Sequence, residues 1–174
     1  EYGVRPEVIL SHTFFMQNPE VFFKYYKKTL LYPDAKPNDC HKALAKLEEM
    51  GKLKAVVTQN IDDLHQRAGS KNVLELHGTL YKNYCMKCGK TFDLDYVTAD
   101  DGITRCDACG GSVRPDVVLY EEGLDQETIY QSVDHISKAD LLIVGGTSLN
   151  VYPAAGLLNY YRGNKLVLVN KSAT

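Results

Sequence analysis

The sequence predicts an α/β protein, an open sheet of parallel strands with a cysteine ribbon inserted as a lobe of its own. Three observations predict it. Apolar strand-like runs alternate with helical patterns, the order of a parallel sheet. Four of the five cysteines fall into two Cys-x-x-Cys pairs, which mark a separate small unit. Finally, 174 residues at 44% hydrophobic content bury one sizeable core and leave little room for two full-sized domains.

The elements follow in chain order. Asn18, Pro19 and Glu20 have the form of an N-cap, a first-turn proline and a dipole-compatible acid. They open a helix that buries Phe22, Phe23, Tyr26 and Leu30 and is closed by Tyr32-Pro33. Helical spacing of these aromatics reads as core packing rather than a ligand box. A second helix is expected from Asn38 to Met50, stopped by Gly51. Cys40 lies on it with Leu44 and Leu47, where a small buried hydrophobe is expected rather than a nucleophile. Leu53 to Thr58 then reads as a strand, Ile61 to Ala68 as a short helix ended by Gly69, and Val73 to Leu76 as a second strand. Beyond the cysteines, Ala139 to Val144 is a strand, Pro153 to Tyr161 a helix stopped at Gly163, and Leu166 to Val169 a further strand. No internal repeat or low-complexity tract interrupts this order.

Charge and hydropathy exclude several classes. With 20 basic against 22 acidic residues the net charge is -2, which gives no global drive toward nucleic acid or an anionic membrane. No apolar stretch approaches the roughly 20 residues that span a bilayer, and residues Glu1 to Pro6 do not form a charged-then-apolar signal. A soluble, cytoplasmic protein is expected, and in that setting paired cysteines favour metal over disulfides.

Cys85-Met-Lys-Cys88-Gly and Cys106-Asp-Ala-Cys109-Gly are separated by 17 residues, the spacing of two thiolate knuckles closing on one tetrahedral zinc ion. Gly89 and Gly110 end the knuckles, as a tight turn around a metal-bound sulfur requires. Four thiolates fill the coordination sphere, so the Zn²⁺ is expected to be structural. Two redox dithiols or an iron–sulfur cluster are the alternatives, disfavoured because no thioredoxin-like unit or ferredoxin spacing accompanies the cysteines.

In open parallel sheets ligands bind beyond the carboxyl ends of the strands, and here those ends are polar. They read Thr58-Gln59-Asn60-Ile61-Asp62, His77-Gly78, Gly145-Gly146-Thr147-Ser148 and Asn170-Lys171-Ser172. The glycine, threonine and serine segment offers backbone donors and hydroxyls to a phosphate or ribose, although it is not the Gly-x-Gly-x-x-Gly fingerprint. Asp62 suits a carboxamide or ribose hydroxyl, or else only a helix dipole. His77 is the candidate general base, and Gly78 beside it is expected to let a ligand approach closely. His12, His41, His65 and His135 lack that strand-end setting.

Taken together, Thr58-Gln59-Asn60-Ile61-Asp62, Leu76-His77-Gly78, the paired Cys-x-x-Cys, Gly146-Thr147-Ser148 and Val169-Asn170 resemble the sirtuins in order and spacing. The resemblance runs through essentially the whole chain, including Pro37-Asn38 and Val151-Tyr152-Pro153-Ala154-Ala155. It implies an NAD-consuming protein-lysine deacetylase with a Rossmann-like large domain. Residues 1–174 would form the partial catalytic domain, with a zinc-ribbon lobe at about 81–118 and a helical part of the same lobe at about 5–36. By this resemblance Gln59, Asn60, Ile61 and Asp62 line the nicotinamide–ribose pocket, and Gly146, Thr147, Ser148, Asn170 and Lys171 hold the adenosine side. His77 would be the catalytic base. The acetyl-lysine oxygen attacks the ribose carbon bearing nicotinamide, and the histidine then takes a proton from a ribose hydroxyl. Products are deacetylated lysine, nicotinamide and O-acetyl-ADP-ribose. Val118 and Tyr120, in the place of the family's Val-x-Phe-Gly-Glu segment, and Val151, opposite Val118, would contact an acetylated-lysine peptide added as a strand.

Departures from the family pattern set further expectations. Glu121 replaces a glycine and is expected to put a carboxylate beside the bound peptide. A strand with a Gly-Ala-Gly-Ile-Ser phosphate loop and an Asp-Phe-Arg segment is expected before Glu1, and the family's C-terminal end lies beyond Asn170-Lys171-Ser172. On this reading the chain alone is incomplete for activity. The same residues also serve removal of other acyl groups or protein ADP-ribosylation, although the family's Tyr-x-x-Arg pair for acidic acyl groups is not identifiable. The rival from another class is a non-catalytic zinc-ribbon module for nucleic acid or protein. Against it, Lys82, Lys87 and Lys90 are offset by Asp93 and Asp95, and no nucleic-acid partner is expected.

Overall fold

The computed structural model describes residues 3–172. Three short helices open it, α1 (Pro6–Ile9), α2 (His12–Gln17) and α3 (Pro19–Tyr25), the last running into a π-helical turn over Tyr26–Leu30. Pro19 stands at the start of α3 as expected, but Asn18 makes no side-chain cap there. The side-chain cap falls instead on α2, where the Ser11 hydroxyl accepts from the Phe14 amide.

Asn38 caps α4 (Asp39–Glu49) in a capping box with His41, and Gly51 follows with φ +71 in the left-handed region glycine adopts freely. None of the residues of α4 is fully buried, and Cys40 is exposed. The buried hydrophobe expected there is thus corrected: the stripe facing the protein runs through Leu44 and Ala45, which are partly covered, and Cys40 lies off it.

Strand β1 (Val56–Thr58) pairs in parallel with β2 (Val73–Glu75). Between them helix α5 spans only Leu64–Arg67, shorter than the Ile61 to Ala68 expected. Asp63 at φ +59 breaks the helical path upstream, and the Asp62 carboxylate accepts the Leu64 amide instead of sitting in a first turn. Strand β3 (Gly78–Cys85) is flanked antiparallel by β4 (Thr91–Phe92) and β5 (Val113–Val117), with α6 (Leu94–Thr98) packed against it.

The chain then forms α7 (Gln126–Lys138), β6 (Leu142–Gly145), a 3₁₀ segment over Ala154–Tyr160 and β7 (Leu166–Val169), which pairs in parallel with β6. The helix expected from Pro153 is therefore a tighter coil, with Gly156 N–H bonded to the Pro153 carbonyl at 3.0 Å. The fold is α/β, its parallel strands arranged as two pairs. Among the described residues no helix is long and apolar enough to cross a membrane.

Two cores hold these pieces. Phe15, Phe22, Phe23 and Tyr26 pack against Leu80, Cys85, Val97, Cys106, Val113 and Leu119, which fuses the helical segment and the ribbon into one lobe. Phe22 and Phe23 meet edge to face at 5.7 Å between ring centroids, a favoured aromatic geometry. The second core joins Leu76, Leu124, Ile136, Ala154 and Leu157 around β2 and α7.

Candidate active site and metal centre

The ribbon brings Cys85, Cys88, Cys106 and Cys109 together, with all four sulfurs within 4.8 Å of one another. Cys85 and Cys109 are 3.4 Å apart and Cys88 and Cys106 3.7 Å, too far for disulfides and close to the ~3.8 Å edge of a tetrahedron with 2.3 Å zinc–sulfur bonds. The set fits Zn²⁺. Backbone turns aim it: Gly89 N–H bonds the Cys85 carbonyl and Gly110 N–H the Cys106 carbonyl, both at 2.9 Å, with φ +73 and +70 at the two glycines. Sequence reasoning missed Gly111, where a Cβ would come within 2.8 Å of the Cys85 sulfur.

The second constellation gathers at the strand ends. His77 follows β2, and its Nδ1 lies 3.0 Å from the Gln59 carbonyl. A carbonyl only accepts, so Nδ1 carries the proton and Nε2 keeps its lone pair. The His77 carbonyl in turn accepts the Val118 amide at 2.9 Å. Gln59 Nε2 reaches Thr147 Oγ1 at 3.4 Å, which ties the end of β1 to the end of β6. One histidine thus stands between the segment after β1 and the segment expected to bind peptide.

The remaining candidates distribute around it. Thr58 Oγ1 accepts the Asn60 amide, and the Ile61 carbonyl accepts the Leu80 amide while its side chain packs on the aromatic core. Gly146 at φ +63 donates its N–H to the Val169 carbonyl, which brings Gly146, Thr147 and Ser148 beside Asn170 and Lys171 at the end of β7. The Asn170 amide is engaged with the Ser172 carbonyl at 3.0 Å. Val118 is partly buried against the second core, Tyr120 is exposed, and Val151 is exposed in the turn before the 3₁₀ segment.

Two expectations are corrected here. Gly78 leaves room for protein and not for a ligand, because a Cβ there would lie 2.0 Å from the Asp116 carbonyl oxygen of the paired strand β5. The Glu121 carboxylate is turned to the protein, accepting the Thr13 amide at 2.8 Å.

Sequence reasoning also missed the pair of a buried Arg114 and a half-buried Glu122 beneath residues 118–120. Arg114 donates from Nη1 and Nη2 to the two oxygens of Glu122 at 2.7 and 3.0 Å, and from Nη2 to the Val117 carbonyl at 2.7 Å. The Glu122 carboxylate also accepts the Leu119 amide and lies 2.9 Å from His12 Nδ1. Burial opposes ionisation of Glu122, but the hydrogen bonds from Arg114, Leu119 and His12 overcome it and hold the carboxyl down at about 2. The arginine side of the pair carried a sequence signal, a basic residue before Pro115 within an apolar run, but its partner is set by how β5 turns.

Comparison with known proteins agrees with this geometry. An NAD-dependent protein deacetylase of Clostridium acetobutylicum is 65% identical over 174 residues, which covers 99% of this chain and 71% of that protein. One from Clostridium perfringens is 62% identical over 170 residues, covering 97% and 70%. A solved structure of Sir2 with 2′-O-acetyl-ADP-ribose, a deacetylated p53 peptide and an inhibitor superposes with a TM-score of 0.90 at 42% identity, covering 98% of this chain and 75% of that one. Residues 3–153 match the profile of the Sir2 family, and the chain belongs to it.

Proposed function

We infer that the protein removes acetyl groups from protein lysines at the expense of NAD, giving nicotinamide and O-acetyl-ADP-ribose. The observation that carries this reading is the double tether of His77. Its ring is oriented by the Gln59 carbonyl and its backbone holds Val118, so an imidazole with a free Nε2 is fixed between the two segments that would meet cosubstrate and peptide. Relatives named NAD-dependent protein deacetylases at up to 65% identity support the same chemistry.

Residue roles follow from position. NAD supplies the electrophilic ribose carbon and nicotinamide as the leaving group. His77 Nε2 accepts the proton of a ribose hydroxyl, and the Gln59 carbonyl stabilises the imidazolium that results. Asn60, Ile61 and Asp62 follow Gln59 and line the nicotinamide–ribose side. Gly146, Thr147, Ser148, Asn170 and Lys171 take the adenosine side, with hydroxyls and backbone donors at the ends of β6 and β7. Val118, Tyr120 and Val151 contact the acetylated peptide. The four cysteines hold one structural zinc that supplies folding energy and no chemistry.

The chain contributes to one catalytic domain, whose small lobe is formed by residues at about 81–118 and 5–36, and the shared aromatic core supports that division. A cytoplasmic location belongs to the same reading, supported by cysteines arranged for metal. The deciding experiment measures nicotinamide release from NAD with and without an acetyl-lysine peptide. Release that depends on the peptide is expected, and release indifferent to it would overturn the reading.

A further inference from the structure

We propose that Glu121 is a positioning residue for the peptide, a clasp that holds the Val118–Tyr120 segment on the helical lobe. This rests on the reading of Val118 and Tyr120 as peptide contacts. The first observation is backbone strain. Glu121 has φ +76, a left-handed conformation that costs a residue with a Cβ, at the third position of a turn closed by the Glu122 N–H on the Leu119 carbonyl at 3.0 Å. Part of that cost is met by a gain from the side chain.

That gain is visible. The Glu121 carboxylate accepts the Thr13 amide at 2.8 Å, one of the donors that α2 leaves unpaired in its first turn. Ser11 satisfies the Phe14 amide of the same turn, so α2 is capped twice, once locally and once from across the chain. The clasp lies next to a short parallel bridge between Ser11 and Tyr120, in which His12 N–H bonds the Tyr120 carbonyl at 2.9 Å and Tyr120 N–H bonds the Leu10 carbonyl at 3.0 Å. Glu122 anchors the following residue on Arg114. The peptide segment is therefore held on successive residues by Tyr120 backbone, Glu121 side chain and Glu122 side chain. Of the three holds, only that of Glu121 rests on an exposed side chain.

Two consequences distinguish a clasp from a charge aimed at the peptide. The hydrogen bond needs an acceptor oxygen, so glutamine, which keeps the acceptor and loses only the charge that strengthens it, stays closer to the parent than alanine does. Substitution also acts on peptide affinity and not on the chemical step, because the His77 ring keeps its bond to the Gln59 carbonyl.

The test compares Glu121→Ala, Glu121→Gly and Glu121→Gln in the native protein by acetyl-lysine peptide Kd, kcat, NAD affinity and amide exchange of His12 and Tyr120. Alanine and glycine are expected to weaken peptide binding roughly threefold to tenfold, the scale of one lost capping bond, and to speed exchange at both amides similarly. NAD affinity and kcat at saturating peptide stay within about twofold, and glutamine stays closer to the parent than alanine does. Should the alanine variant fail to fold, the glycine variant decides, since it removes the left-handed strain along with the carboxylate. Peptide affinity within about twofold of the parent in the glycine variant overturns the proposal, and so does a glutamine variant as weak as alanine. A parent that binds no acetylated peptide would overturn the functional reading instead. The exchange rates of His12 and Tyr120 would then decide the clasp alone, and unchanged rates would sink it.

Discussion

In the ribbon, four sulfurs from two short turns meet within 4.8 Å, aimed by Gly89, Gly110 and Gly111 and backed by the aromatic core of Phe15, Phe22, Phe23 and Tyr26. At the strand ends, polar groups from four segments are joined by single hydrogen bonds, His77 to Gln59 at 3.0 Å and Gln59 to Thr147 at 3.4 Å. The ribbon concentrates its polar chemistry in one closed set, while the strand ends leave side chains half-buried with capacity to spare. The difference follows from task. A structural metal site must be saturated to be stable, whereas the role proposed for His77 needs an acceptor, Nε2, left to a ligand.

That comparison breaks first at the metal. One zinc per chain is expected by metal analysis, and Cys106→Ser is expected to release it. Structural zinc contributes roughly 10–16 kcal/mol of binding free energy in small thiolate sites, more than a single-domain protein has to spare, so the lobe should lose fixed aromatic packing. Near-ultraviolet circular dichroism of the tyrosine-rich lobe would report it. A variant that loses zinc yet keeps that spectrum would show that the aromatic core suffices without metal.

At the strand ends the expected effect is smaller and of another kind. His77→Ala should lower kcat by roughly 10²- to 10⁴-fold, the usual contribution of a general base, with zinc content and melting temperature unchanged. Activity within about threefold of the parent would remove His77 from the chemistry. A melted variant would mean instead that the ring's bond to Gln59 is structural.

Local spacing made the ribbon legible, since each knuckle and its glycine lie within five consecutive residues. Strand-end residues were legible because β1, β6 and β7 announce themselves as apolar runs. What escaped was non-local or ambiguous. The longest helix, α7, was passed over although Asp125 caps the Thr128 amide and Ile129, Val133 and Ile136 share its inner face. Gly78 was read for a ligand because a chain read in isolation does not show that β5 passes 2.0 Å from its missing Cβ. Cys40 was assigned to a buried face because period alone does not say which side of an amphipathic helix turns inward. The sequence around Glu121 does not show its partner, because the Thr13 amide lies in a distant helix.

The smallest of these effects concerns the joint between the two regions, the Arg114–Glu122 pair. Arg114 keeps only 6% of its side chain exposed and Glu122 20%, with the guanidinium 5.2 Å from the Phe15 ring centroid on the lobe side and Leu119 held by the carboxylate on the peptide side. Removing the acid leaves a buried cation without its partner, so Glu122→Ala should cost roughly 2–4 kcal/mol, somewhat below a fully buried pair because Glu122 retains contact with water. Acid should do the same gradually. The carboxyl is held at about 2 in the folded protein against 4.5 for an ordinary glutamate, so it binds protons more weakly folded than unfolded. Its stabilisation is therefore complete above pH 4.5 and is lost as pH falls toward 2. Glu122→Gln keeps the shape but not the charge, and its amide nitrogen replaces an acceptor for two of the four donors. Its melting temperature should lie below the parent's at pH 7, and the gap should narrow as both are acidified. A gap of constant size from neutral to acid pH would show that the hydrogen bonds alone, and not the ionised carboxylate, tie residues 118–120 to the ribbon.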